Sequence, residues 1–149
     1  MIEGVVISPL KRIPDERGSV MHILKASDSA CRDFGEVYCS TIYPGVVKGW
    51  HLHKVMTLNY VVIRGTIKFV LYDVRAKSPT QGEVQEISMG DRNYVRVTVP
   101  PGVWNGFQGV GTEEAYVINV TDMSHDPSEI ERADPFTKDI PYSWPLKHR

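Results

Sequence analysis

The chain has 149 residues, of which 42% are hydrophobic and 23% charged, and its formal net charge is -1. This composition is typical of one ordinary globular domain, so we treat residues 1–149 as a single domain. The balanced charge argues against a nucleic-acid surface, no apolar run reaches the ~20 residues that cross a bilayer, and no signal peptide is predicted. We therefore expect a cytoplasmic protein with neither nucleic-acid nor membrane partners.

Alternation of apolar and polar residues predicts short strands along the whole chain. Two of them flank Arg64-Gly65 and predict a hairpin, and Pro127 predicts a short helix over 127–132. The segment from Asp134 is expected to lie irregularly over the strands. Many short strands with Gly and Pro turns predict an all-β jelly-roll barrel that is open at one end. In chain order, the expected strands cover residues 19–25, 37–43, 60–63, 66–74, 94–99 and 115–121.

Two histidines, His51 and His53, stand two positions apart on a further expected strand. Side chains two apart on a strand share a face, so both imidazoles are expected in the barrel mouth. Their segment and the later Pro100 to Phe107 segment are spaced like the two motifs of a cupin barrel. The cupin pattern supplies a carboxylate and a third histidine as metal ligands, where this chain has Leu58 and Asn105. A catalytic metal takes at least three protein ligands, so we predict neither a metal nor a cofactor.

Proton transfer is the chemistry that remains for a histidine in such a mouth, because its ordinary pKa lies near neutral pH. His51 is the candidate base for a carbon acidified by a neighbouring ketone. Such a reaction also needs donors that stabilise the enolate oxygen. Lys48, Asn59 and Asn105 are the candidates for that role.

Five short motifs occur in order along the chain. They are Asp15-Glu16-Arg17-Gly18, Lys48-Gly49-Trp50-His51, Asp73-Val74-Arg75 with Ser78-Pro79-Thr80-Gln81-Gly82, Val99-Pro100-Pro101-Gly102 with Gly106-Phe107, and Asp134-Pro135 with Trp144-Pro145. Together they resemble the nucleotide-sugar 3,5-epimerases that act on dTDP-4-keto-6-deoxyhexoses, the rhamnose-pathway epimerases. The resemblance covers the chain from Asp15 to Trp144.

This resemblance implies a homodimer of cupin subunits without a metal, and a dTDP-sugar in the barrel mouth. It implies that His51 removes the proton next to the 4-keto group. We expect His53 to assist in this step or to bind the substrate. Arg17 and Lys48 would contact phosphate, and Lys48 stands where the family has an arginine. Glu36 and Tyr38 stand where the epimerases carry ligand-contacting glutamine and asparagine.

The chain departs from the family pattern at three functional positions. The lysine that stabilises the enolate falls at Leu58, and the histidine before Gly-Phe is Asn105. The tyrosine that returns the proton falls at Ile118 or Asn119. Tyr116 is the nearest tyrosine and is the candidate substitute. Further candidate substrate-binding residues are Asn59, Trp104, Asn105 and Asn119.

Two alternatives remain open at the level of sequence. His51-Leu52-His53-Lys54 and Pro101-Gly102-Val103-Trp104 also resemble the sugar 3,4-ketoisomerases, which shuttle protons with a histidine pair. The other alternative is a cupin that binds a sugar nucleotide and has lost catalysis. Inversion requires a base on one face and an acid on the other, whereas a ketoisomerase works from one face.

Overall fold

Alternating burial along most strands produces two sheets that pack face to face. A computed structural model of the protein describes residues 1–145, and this part of the chain contains strands and no helix. The predicted all-β jelly roll is confirmed. The strands are β1 Val6–Pro9, β2 Arg12–Asp15, β3 Gly18–Met21, β4 Glu36–Ile42, β5 Val47–His53, β6 Leu58–Arg64, β7 Thr66–Asp73, β8 Val84–Gly90, β9 Val95–Val99, β10 Val103–Val110, β11 Ala115–Thr121 and β12 Ile130–Arg132.

Sheet I has the order β1-β9-β6-β11-β4, and sheet II has the order β12-β5-β10-β7-β8. All the pairings between these strands are antiparallel. A separate two-stranded ribbon is formed by β2 and β3. The strands β4 and β5 follow each other in sequence but lie in opposite sheets, so their side chains can meet across the interior.

The main core fills the space between the two sheets. On β7, Ile67, Phe69 and Leu71 alternate with polar or outward-facing residues, share one face of the strand and are completely buried. On β6, Leu58 and Tyr60 belong to the same core. Leu58, the position where a family lysine was sought, is therefore a packing residue. Burial on this scale contributes on the order of 25 cal/mol per Å² of apolar surface.

The predicted hairpin between residues 60–63 and 66–74 is wrong. Strand β6 belongs to sheet I and β7 to sheet II, so the chain crosses between the sheets at Gly65. Gly65 has a φ of 72°, and a Cβ there would lie 2.8 Å from the Cα of Ala115. Only glycine combines this left-handed backbone with so close a neighbour. The Arg64-Gly65 pair therefore forms a corner at which the chain passes from sheet I to sheet II, and not the turn of a hairpin.

The predicted helix over 127–132 is also absent. Ser128 donates its backbone N–H and its hydroxyl to Asp126, which forms a turn. The chain then enters β12, which pairs with β5 so that Arg132 lies opposite His51. Residues 130–132 pair with the edge strand β5 through backbone hydrogen bonds, and this pairing is the reason that they form a strand and not a helix.

A second apolar cluster covers the outer face of sheet II. It contains Trp50, Val70, Ile140 and Trp144, so the segment after Asp134 lies over the sheet as expected. The basic residues 147–149, for which the sequence predicts a solvated tail, lie outside the described residues. In the part of the chain that the structure describes, no helix has the length and hydropathy needed to cross a membrane.

Candidate active site

A cavity of about 280 Å³ opens between the two sheets. Sheet II contributes His51 and His53 from β5, and Arg132 from β12. Sheet I contributes Glu36 and Tyr38 from β4 and Tyr60 from β6 in the facing wall. The two walls thus differ in chemistry, with nitrogen bases and a cation on one side and hydroxyl and carboxyl groups on the other.

His51 is half-buried in the sheet II wall and lies beside a guanidinium group. The Nη1 atom of Arg132 is 3.2 Å from its Nε2 atom. Arginine can only donate hydrogen bonds, so Nε2 is the ring nitrogen that lacks a proton. Burial and, after it, the charge of Arg132 lower the pKa of His51 to about 4. The imidazole is therefore neutral at neutral pH and able to accept a proton.

His53 is buried and held by a carboxylate. Its Nδ1 atom is hydrogen-bonded to Oε1 of Glu129, while Oε2 accepts the backbone N–H groups of Val55 and Met56, both at 3.2 Å. Burial would raise the pKa of Glu129, but the hydrogen bonds from His53, Met56 and Val55 outweigh it and leave that pKa lowered. Glu129 fixes the His53 ring and orients its other nitrogen.

The sheet I wall carries two tyrosine hydroxyls in different settings. Tyr60 is 5% exposed, and its hydroxyl donates to Oδ1 of Asn105 over 3.4 Å. Asn105 in turn donates to the backbone carbonyl of His51 over 3.0 Å, which connects this wall to β5. Burial raises the pKa of Tyr60 well above its ordinary value, and the neighbouring Tyr38 raises it further.

Tyr38 is 44% exposed and is held by an oriented amide. The Nδ2 group of Asn119 donates to the Tyr38 hydroxyl over 2.9 Å. The Oδ1 atom of Asn119 accepts the backbone N–H of Asn59 over 3.1 Å, which fixes which end of the amide faces the tyrosine. Because Asn119 donates, this hydrogen bond does not use the Tyr38 proton.

The structure brings together several of the residues selected from sequence. His51, His53, Glu36 and Tyr38 line the cavity. The amides of Asn105 and Asn119 lie directly behind it, each bonded to a lining tyrosine.

Other selected residues lie elsewhere. Tyr116 faces outward on β11, where its ring packs under the Arg64 guanidinium at 5.6 Å. Asn59 accepts a hydrogen bond from Thr98 on the face of sheet I turned away from the core. Trp104 packs against the second apolar cluster on the outside of sheet II. These placements do not bring the three side chains to the cavity.

The two cations that were assigned to phosphate also lie outside the lining. Arg17 is exposed at the β2–β3 turn and pairs with Asp15 at 2.7 Å. Lys48 donates to Ser40 Oγ at 3.1 Å and to the Thr41 carbonyl at 2.6 Å. Lys48 thereby approaches the strand that carries Tyr38, and its phosphate role stays a prediction.

Sequence reasoning missed Tyr60, Glu129, Arg132 and His125, all of which lie at or beside the cavity. Tyr60 lies on the same face of β6 as Leu58, the position of the family lysine, and this shared face could have identified it as a site residue. Glu129 and Arg132 were assigned to a helix, so nothing connected them with the histidines. Within residues 1–145, no group of three or more His, Cys, Asp or Glu side chains is placed to hold a metal ion.

Similarity to known proteins identifies the family of this chain. The family model described as dTDP-4-dehydrorhamnose 3,5-epimerase matches residues 1–148. The chain belongs to this family. Its members are epimerases of the isomerase class, and the resemblance to the rhamnose-pathway epimerases is confirmed. The cupin-type fold is confirmed as well.

Three relatives illustrate the match. The spore coat polysaccharide biosynthesis protein SpsL of Bacillus subtilis is 32% identical, with all of both chains covered. The probable low-salt glycan biosynthesis epimerase Agl13 of Haloferax volcanii is 33% identical over 95% of this chain and 88% of its own. The crystal structure of a dTDP sugar isomerase from Desulfovibrio desulfuricans superposes with a TM-score of 0.94, at 42% identity over 96% of this chain and 92% of that one.

Proposed function

We propose that the protein epimerises a nucleotide-linked 4-keto-6-deoxyhexose, with a dTDP-sugar as the expected substrate. His51 removes a proton from the carbon next to the ketone. The observation that carries the proposal is the position of the His51 imidazole in the wall of the cavity, in a chain that belongs to an epimerase family. A base that must work at neutral pH has to be unprotonated there, and burial together with Arg132 keeps it so.

Arg132 supplies the charge for the step that follows deprotonation. When the carbon–hydrogen bond breaks, its electrons pass to the ketone oxygen and form an enolate. Leu58 is buried in the core and cannot stabilise this oxygen, whereas the exposed Arg132 is beside the base. Substrate binding would draw the guanidinium from Nε2 to the ketone oxygen, which frees the base and stabilises the enolate at once.

His53 is a positioning and binding group in this scheme. Its bond to the buried Glu129 fixes the ring beside His51, and the pair links β5 to the turn before β12. Lys48, next to the cavity strand β4, is the proposed contact for the diphosphate. The homodimer and the cytoplasmic location stay predictions.

The test is incubation with dTDP-4-keto-6-deoxyglucose in deuterium oxide. Deuterium that enters C3 or C5 together with an inverted product supports the epimerase, and its position counts the centres inverted. A product whose ketone has moved to C3 would instead assign ketoisomerase activity. Binding of dTDP without any exchange would leave a non-catalytic binding protein. The His51→Gln variant measured in parallel separates enzymatic exchange from the spontaneous exchange of a ketone.

A further inference from the structure

We propose that Tyr38 is the general acid that returns the proton on the face opposite to His51. This assignment rests on the proposed function, and it places the acid on β4. Inversion needs a proton donor across the substrate from the base, because a base that returns its own proton restores the starting configuration. The donor must therefore belong to the sheet I wall.

Three side chains of that wall line the cavity, namely Glu36, Tyr38 and Tyr60. Carboxyl groups ordinarily have no proton at neutral pH, whereas phenols retain theirs. The choice therefore falls between the two tyrosines. Tyr60 is almost completely buried and its hydroxyl already donates to Asn105, so its proton is directed away from the open space. Tyr38 is 44% exposed, and its bond with Asn119 uses the phenol oxygen as the acceptor and leaves the proton out of that bond.

The partner of Tyr38 also suits an acid. Asn119 donates its amide N–H to the phenol oxygen at 2.9 Å. A donor on that oxygen stabilises the phenolate that forms when the proton leaves. The amide cannot turn over without losing its bond to the Asn59 backbone N–H. Asn119 is thus a positioning residue that holds the oxygen and favours its ionised form.

The arrangement also accounts for a departure seen in the sequence. Asn119 occupies one of the two positions where the family tyrosine falls, and Tyr38 occupies a position where the family has asparagine. These two residues are direct partners in the β4–β11 ladder. With the family tyrosine at position 119, an exchange of the two side chains across this strand pair would keep a phenol and an amide in the same place.

The complete step balances as an isomerisation. His51 Nε2 takes the proton from carbon, and the carbon–hydrogen electrons form the enolate. The Tyr38 oxygen–hydrogen bond then breaks, its proton bonds to carbon from the sheet I side, and the enolate returns to the ketone. The Tyr38 phenolate regains a proton from water, and protonated His51 loses one to water.

The experiment separates exchange at carbon from inversion. The unaltered chain, Tyr38→Phe, Tyr60→Phe and the control Tyr43→Phe are incubated with dTDP-4-keto-6-deoxyglucose in deuterium oxide. Tyr43 is an exposed tyrosine just beyond β4 and outside the cavity lining. Tyr38→Phe is expected to keep exchange within about threefold while inversion falls by about 10²-fold or more, because general acids contribute roughly 10²–10⁴-fold. Thermal unfolding and dTDP binding are measured for each variant.

Each result has one meaning. Exchange without inversion in Tyr38→Phe, with Tyr43→Phe unchanged, supports the assignment. Full inversion in Tyr38→Phe, or loss of inversion in Tyr60→Phe alone, overturns it. Loss of both exchange and inversion in Tyr38→Phe overturns it as well, because Tyr38 would then act in binding or folding. An unaltered chain that neither exchanges nor inverts would overturn the proposed function itself. Asn119→Leu should slow inversion by about tenfold and spare exchange.

Discussion

Two polar clusters of this barrel differ in burial and in how fully their side chains are hydrogen-bonded. Around Asp73, a fully buried carboxylate accepts bonds from Arg75, Ser78 and Thr80 at 2.6–2.9 Å. In the cavity, by contrast, His51 and Tyr38 point into open space, and His51 shares its lone pair only with an exposed arginine. Both clusters carry motifs of the family. The Asp73 cluster, in which every carboxylate oxygen is hydrogen-bonded, holds the fold together, and we call it the lock. The groups that face the cavity are available to a ligand and carry the chemistry.

The largest expected effect breaks the cavity side of this comparison. His51→Gln removes the base and leaves the shape of the wall, so exchange at carbon should fall by about 10³-fold. The melting temperature should remain close to that of the unaltered chain. Deuterium uptake at neutral pH followed by NMR measures the first quantity, and thermal unfolding measures the second. A variant that retains more than a tenth of the exchange rate would rule out His51 as the base.

The next largest effect comes from a change in the Asp73 cluster, which should lower stability and leave the exchange rate unchanged. Asp73→Asn should lower the free energy of unfolding by about 3 kcal/mol, because it leaves the partners of a buried ion pair uncompensated. The remaining folded molecules should exchange substrate at an unchanged rate. Denaturant unfolding together with a rate normalised to folded protein gives both numbers. Equal stability of variant and unaltered chain would show that the Asp73 cluster does not act as a lock.

The same carboxylate predicts how the fold responds to acid. Burial would raise the pKa of Asp73, but the hydrogen bonds from Arg75, Ser78 and Thr80 outweigh it and depress that pKa strongly. A depressed pKa contributes stability above the ordinary value near 3.9, and this stability is lost as the pH falls further. Unfolding free energies measured between pH 6 and pH 2 should therefore decline more steeply for the unaltered chain than for Asp73→Asn.

A smaller effect sharpens the role of Arg132. Arg132→Gln should slow exchange at neutral pH by about tenfold, because the enolate loses its cation. Burial is the larger cause of the low pKa of His51 and remains, so that pKa should rise only part of the way from about 4 toward 6.5. The acid limb of the rate profile should shift upward with it, while Arg132→Lys leaves the limb in place. An identical profile for all three chains would remove Arg132 from the mechanism.

The smallest expected effect concerns the tyrosine favoured by sequence. Tyr116→Phe should leave exchange and inversion within about twofold of the unaltered chain, because the hydroxyl lies on the outer face of β11. Initial rates of inversion are sufficient to measure it. A strong loss of inversion would return the acid to β11 and contradict the assignment of Tyr38.

Sequence predicted the parts of the site that depend on local alternation. His51 and His53 share a face because they are two apart on one strand, and Ile67, Phe69 and Leu71 share the core in the same way. Alternation divides residues between two faces but does not say which face is inside. Tyr116 was misplaced for that reason, and a register shift between Tyr116 and Val117 complicates the parity further.

Contacts and strand pairings between residues far apart in the sequence could not be predicted from local residue patterns. The corner at Gly65 and the hairpin it mimics have the same turn residues, and only the packing against Ala115 distinguishes them. Arg132 reaches His51 across 81 positions of sequence, through a three-residue strand whose pairing partner no local signal identified. The contact between Tyr38 and Asn119 became visible once the pairing register of β4 and β11 was known.

The late position of β12 has a consequence for how this enzyme matures. His51 precedes Arg132 by 81 positions, so the imidazole leaves the ribosome well before the guanidinium that lies beside it in the folded protein. A nascent chain can fold much of its barrel while His51 still lacks the neighbouring guanidinium group of Arg132. Catalytic competence should therefore arise only after β12 has been synthesised and has paired with the edge of β5.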